Sequence, residues 1–131
     1  MAFQCVLVTP EEQLLDESIV QAIVPAHDGL VGILTDRAPL LVKLGTGPLR
    51  LDLSNGQRRY YFVDGGVAQM KDNRLTILST EAAPASEVDA EAARAEYNEA
   101  AARRTSDPKA AEDREHAMAR ARAKQQVAAM K

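Results

Sequence analysis

Glycine disappears from this 131-residue chain at its midpoint. All seven glycines lie at or before Gly66, and from about Ala82 onward alanine and charged residues dominate. Glycine and proline punctuate chains that turn often, whereas alanine has the best helix propensity. The asymmetry predicts a strand-rich domain over residues 1–82 and a two-helix domain over residues 83–131. A composition of 46% hydrophobic and 27% charged residues supports a folded core and argues against wholesale disorder.

The first half reads as an antiparallel β-sandwich of about ten short strands. Phe3, Cys5 and Leu7 alternate with Gln4 and Val6, and a run from Ile19 to Val24 closes at Pro25. Leu49, Leu51 and Leu53 alternate with Arg50 and Asp52, the period of a strand with one wet face. Asn55-Gly56 follows and predicts a type I′ hairpin turn. The return strand is Arg58 to Val63, broken by Asp64-Gly65-Gly66; Val67 to Met70, a turn at Asp72-Asn73, and Leu75 to Ser79 make a further hairpin. Gly45 and Gly47 read as turn residues.

In the second half, Ser86 followed three residues later by Asp89 predicts a helix start, with the helix running to about Arg104. Asp107 as N-cap and Pro108 in the first turn predict a second helix towards Lys131, antiparallel to the first. The expected seam is Val88, Ala92, Ala95 and Ala102 against Ala110, Ala117, Met118, Ala121 and Ala128. Alanine contacts remove little area from water, at about 25 cal/mol per Å². The hairpin is therefore either a static appendage or a pair of rods able to part without melting. Arg120, Arg122, Lys124 and Lys131 lie near the end of the second helix and Glu112, Asp113 and Glu115 near its start, with Arg114 among the acids. Charge complementing the helix dipole explains most of this, and a basic surface for an acidic partner is the sharper alternative.

Signals for chemistry are missing. No phosphate-binding Gly-rich loop with Lys occurs, and His27 and His116 are too far apart to build a metal centre with each other. Cys5, the single cysteine, fits a buried apolar position in a reducing compartment. Tyr60, Tyr61 and Phe62 beside Arg58 and Arg59 could suggest a nucleic-acid platform, but adjacent strand residues point to opposite faces. The net charge of −3 also opposes a nucleic-acid partner. No secretory signal and no apolar run of membrane-spanning length is visible, and no cofactor is expected.

Three blocks carry a family resemblance. Pro25-Ala26-His27-Asp28-Gly29-Leu30-Val31-Gly32-Ile33-Leu34-Thr35-Asp36-Arg37-Ala38-Pro39-Leu40-Leu41 resembles the signature of the bacterial-type F-type ATP synthase epsilon subunit. Tyr61 to Ala68, with its Phe-Val-x-Gly-Gly element, is similar to a strand turn of that family, and Leu75 to Ala82 to the strand that ends its sandwich. The Ala-rich helical pair follows in the expected place.

The resemblance implies a non-catalytic subunit of the central stalk of a proton-translocating rotary motor, bound to the gamma subunit and seated on the c-ring. His27, Asp28, Gly29, Leu30, Val31 and Gly32 would form the c-ring-facing loop, and Arg37, Ala38 and Pro39 the turn of the family motif. The hairpin could detach and oppose ATP hydrolysis, placing Arg114, Arg120, Arg122 and Lys124 near acidic segments of the catalytic alpha and beta subunits. The implied location is peripheral, on the cytoplasmic face of the bacterial plasma membrane. Members that bind ATP on the hairpin resemble an Ile/Leu-Asp-x-x-Arg-Ala pattern. Here Asp89 is followed by Arg94-Ala95 two residues late, about 200° around a helix, which removes Arg94 from that position. A free-standing adaptor with a helical oligomerisation hairpin is the competing reading. A small cupin-like enzyme lacks the clustered ligands it would need.

Overall fold

A computed structural model describes residues 2–35 and 38–130. Seven strands precede two helices: β1 (Phe3–Val8), β2 (Gln13–Ala26), β3 (Gly29–Leu34), β4 (Leu40–Lys43), β5 (Thr46–Leu53), β6 (Arg58–Lys71), β7 (Arg74–Pro84), α1 (Ala90–Ala101) and α2 (Pro108–Ala128). Strands β1, β7, β6, β5 and β2 pair in that order, and β1 pairs back onto β2 to close a ring. β3 flanks β2, and β4 flanks β6. The result is the expected sandwich followed by a helical pair. All strand pairings are antiparallel except β1 with β7, which join the first and last strands in parallel.

The strands are fewer and longer than the roughly ten short ones expected, because glycine bends them without ending them. β6 continues through Asp64-Gly65-Gly66, keeping one register with β7 along its length. On its other edge β6 pairs with β5 up to Asp64 and with β4 from Val67. Leu44 N donates to Gly66 O at 2.9 Å and Gly65 N to Gly45 O at 3.0 Å across the changeover. Gly45 and Gly47 therefore lie in a crease where the sheet folds over. A Cβ on Gly45 would stand 3.0 Å from the Ala26 carbonyl oxygen, and one on Gly47 3.2 Å from Pro25 Cβ.

The alternating residues Leu49, Leu51 and Leu53 are buried, with Phe3, Cys5, Leu7, Ile19, Tyr61, Leu75 and Ile77, in one core between the layers. Burial pushes the Cys5 thiol up to about 12. Of the two hairpin turns, the first differs from expectation and the second falls where expected. Leu53 N donates to Gln57 O at 2.7 Å, so Ser54-Asn55-Gly56 is a three-residue loop in which Gly56 alone takes positive φ, at 91°. Asp72 and Asn73, at 53° and 56°, form the tight two-residue turn that needs positive φ at both positions.

The first helix starts three residues later than Ser86 predicts. Ala85–Glu87 form a 3₁₀ turn, and Asp89 is the N-cap, its carboxylate accepting from Glu91 N at 2.9 Å and Ala92 N at 3.3 Å. The helix stops at Ala101, short of Arg104. Asp107 caps α2 as expected, accepting from Ala110 N at 2.7 Å, with Pro108 in the first turn. The Asp107→Ala variant should lose about 1 kcal/mol of stability, read from thermal denaturation followed by helical circular dichroism.

Candidate interaction surfaces

The expected c-ring-facing segment forms an exposed tip. His27-Asp28 is the two-residue turn joining β2 to β3, pinned by His27 N donating to Lys43 O at 2.9 Å. Alternation along β3 sends Ile33 into the core and leaves Gly29, Leu30 and Gly32 exposed, with Val31 part-buried. Leu30 is 69% exposed and Leu34 56%. Ala38 and Pro39 are exposed beside Gly32 and Leu34, where they line an open cleft of about 450 Å³. Arg37, named with them from sequence, lies outside the described residues.

A second apolar surface lies on the outside of the sheet. Val8 pairs with Leu78, and Leu78 with Val67, giving a row across β1, β7 and β6. Leu78 is 49% exposed and Val67 37%. Thr9, Pro10, Ser79 and Thr80 border it in a cleft of about 390 Å³.

The helical pair covers a different part of the sheet. Tyr61 points into the sandwich core, and its neighbour Phe62 points the other way. Phe62 is nonetheless fully buried, because Val88, Ala123 and Val127 close over it with Ala85. The aromatic pair is thus consumed by two cores, which removes it as a stacking platform. The seam between the helices also shifts from expectation. Ala93 and Ala100 are the buried residues of α1, while Ala92, Ala95 and Ala102 are exposed. On α2, Ala121, Ala123 and Val127 are buried.

The basic residues of α2 are engaged inside the chain. Arg120 Nε donates to Glu81 Oε1 at 2.8 Å, and its guanidinium lies 3.8 Å from Asp64 Oδ2 and 3.5 Å from Glu96 Oε2. The Glu81 hydrogen bond raises the Arg120 pKa above its ordinary value, against the opposing effect of burial. Lys124 Nζ stands 3.3 Å from Glu96 Oε2, and both cations lie over the Phe62 ring, at 6.0 Å for Arg120 and 5.5 Å for Lys124. His116 Nε2 and Thr46 Oγ1 each meet Asp64 Oδ1, at 3.0 and 2.6 Å. Arg122 stacks 5.6 Å from the Tyr97 ring on α1. Arg114 donates to the Ala101 carbonyl at 2.8 Å, so it caps the C-terminus of α1 across the loop. Asp64, Glu81 and Glu96 went unnoticed in sequence because nothing in their spacing relates them to each other or to α2.

Asp89 and Arg94 do not converge. Asp89 is occupied as a helix cap, and Arg94 is exposed further along α1. The small cleft of about 220 Å³ next to Asp89 is lined by Glu81, Glu87, Asp89 and Glu96 with Lys124, and Arg94 is not in its wall. Lys124 and the neighbouring Arg120 are committed to Glu96 and Glu81, and Glu87 and Asp89 add negative charge that disfavours a polyphosphate there.

Residues 2–85 match the family model of the ATP synthase delta/epsilon chain, beta-sandwich domain. The chain is 38% identical over 122 residues to the ATP synthase epsilon chain of Rhodopirellula baltica, covering 93% of this chain and 94% of that one. It is 33% identical over 133 residues to the epsilon chain of Rippkaea orientalis, covering 98% and 97%. A chain of the Euglena gracilis mitochondrial ATP synthase, solved as an OSCP/F1/c-ring assembly, shares the fold with a TM-score of 0.83 at 24% identity, covering 97% of this chain and 80% of that one. Among the described residues no helix is long and apolar enough to cross a membrane.

Proposed function

This chain belongs to the ATP synthase epsilon-chain family, and we propose that it couples the gamma subunit to the c-ring while its hairpin serves as a detachable brake on ATP hydrolysis. It is a non-catalytic subunit of the ATP synthase. Two separate exposed apolar surfaces support two simultaneous partners. The tip at Leu30 and Leu34 suits the c-ring, and the Val8–Leu78–Val67 row suits gamma. On this reading the chain is peripheral, at the cytoplasmic face of the bacterial plasma membrane. The chain divides near residue 83 into a sandwich that stays with the stalk and a hairpin that can leave it.

The observation that carries the brake is the way the hairpin is held. Each helix has its own N-cap, Asp89 and Asp107, and Arg114 closes the loop between them. Its hold on the sandwich is one small apolar cluster plus ion pairs. A unit that is internally complete and weakly docked can leave without melting. Once it has left, Arg114, Arg120, Arg122 and Lys124 would meet acidic segments of the catalytic alpha and beta subunits. ATP has no role in this proposal, given the acidic cleft at Asp89 and the distant Arg94.

Steady-state hydrolysis by the cognate catalytic complex tests this, with the full chain and with one ending at Ala85. An earlier cut, after Thr80, would remove Glu81–Pro84, which pair with Tyr61 to Asp64. The shortened chain is expected to bind and to leave hydrolysis faster than the full chain does. Equal rates with both bound would remove the brake, and failure of either form to bind would remove the coupling role.

A further inference from the structure

The basic side chains that a brake would offer to an acidic partner are already holding acidic partners within the docked chain. Arg120 sits among Glu81, Asp64 and Glu96, which come from β7, β6 and α1, and Lys124 shares Glu96. We infer that Asp64 and Glu81 of the sandwich, with Glu96 closing the ring from within the hairpin, form an internal acidic receptor for Arg120, so that an acidic protein segment draws out the hairpin by competing for that cation. The inference rests on the braking role proposed above and assigns what sets its resting position.

The geometry favours a receptor over incidental surface pairing. Asp64 is 12% exposed and is fixed from the sandwich side by Thr46 and from the hairpin side by His116. Arg120 uses two different nitrogens on the two oxygens of Glu81, a fork that constrains direction as well as distance. Only 29% of its side chain is exposed, so these bonds form in an environment less screened than open water. The acids converge from the sandwich and from α1 on the single helix that carries the cations. Detaching the whole hairpin breaks the Arg120 bonds to Glu81 and Asp64, whereas those to Glu96 travel with the hairpin.

A double-label distance measurement on the full chain reads the docked fraction directly. Labels enter through Gln57→Cys, on the exposed β5–β6 loop, and Gln126→Cys, on the exposed side of α2. Cys5 is fully buried and escapes labelling. Arg120→Glu, which places a fourth carboxylate in the receptor, is expected to raise the undocked-to-docked ratio by at least tenfold, and added Glu81→Lys to restore docking. Glu81→Gln should open the hairpin less than the reversal does, and high salt should open the unmodified chain more than it opens the Glu81→Gln chain. Unchanged docking in Arg120→Glu overturns the receptor, as does opening that Glu81→Lys fails to reverse. The measurement needs no catalytic complex. A chain whose docking follows these charges but whose hairpin leaves hydrolysis untouched would keep the receptor and lose the brake.

Discussion

The Gly66→Ala variant is expected to lose about 4 kcal/mol or more of folding stability, a large part of the 5–15 kcal/mol available to a domain of this size. Two independent costs meet at this residue. Its φ of 108° is one that side chains with a Cβ rarely adopt. A Cβ built there would also overlap the Leu78 carbonyl oxygen and stand 2.8 Å from Ser79 Cα. Neither can yield locally. Gly66 pairs with Ser79 in β7 and accepts from Leu44 N on the opposite edge, so it is held from both sides. Ser79 is itself buried, its hydroxyl 3.0 Å from Gly65 O and 2.7 Å from Glu81 O. Chemical denaturation of purified Gly66→Ala and Gly56→Ala chains makes the comparison. Gly56 has positive φ but open space around its Cβ position, so its variant should suffer strain alone. Equal losses at the two sites would mean that the crease tolerates the extra atom.

That crease marks where the sequence is hardest to read. Leu49-Arg50-Leu51-Asp52-Leu53 declared its strand and its buried face through local alternation, and Asp107-Pro108 declared a helix start through local capping chemistry. Asp64-Gly65-Gly66 carries the same local signal as a turn. Only its two flanking partners, Leu44-Gly45 on one edge and Ser79 on the other, make it a bend within one strand. The parallel join of β1 to β7 is hidden for the same reason, since residues some seventy positions apart must meet before it exists. Local chemistry placed the Asp72-Asn73 turn correctly but mistyped the other one. Asn55-Gly56 has the composition of a tight turn, but adding Ser54 to the loop lets Gly56 alone supply the positive φ.

The candidate surfaces meet the same limit. The exposed tip from His27 to Gly32 is named through the family resemblance and not from its residues, because Leu30-Val31-Gly32-Ile33-Leu34 is apolar throughout and reads more readily as a buried strand, and folding leaves Leu30 outside. The partners of Arg120 were not legible either. A charge gradient along α2 can be read from sequence, but the acids that answer it sit on β6, β7 and α1 and are brought together only by docking. Arg114 illustrates the limit in one residue. It reads as one of a basic set, and the structure uses it to cap the neighbouring helix.

The Phe62→Ala variant is expected to release the hairpin while the sandwich stays folded. Removing a fully buried phenylalanine typically costs 3–5 kcal/mol, and where that loss falls depends on what the ring touches. Phe62 turns away from the sandwich core and packs with Ala85, Val88, Ala123 and Val127, all of which lie beyond the strands and two of them on α2 itself. Its ring also lies beneath Arg120 and Lys124. The loss therefore falls on docking, whereas Tyr61→Ala, one residue away and pointing inward, should weaken the sandwich. Labels at Gln57→Cys and Gln126→Cys would report the first effect, and the melting of strand circular dichroism the second. Release has a functional sign as well. If docking and engagement of the catalytic subunits compete for one hairpin, freeing it raises the competent fraction and tightens the brake in proportion. Phe62→Ala should then slow hydrolysis by the cognate complex relative to the unmodified chain, the reverse of the effect of truncation at Ala85. A variant that opens the hairpin and speeds hydrolysis would mean that the docked form is the one that inhibits.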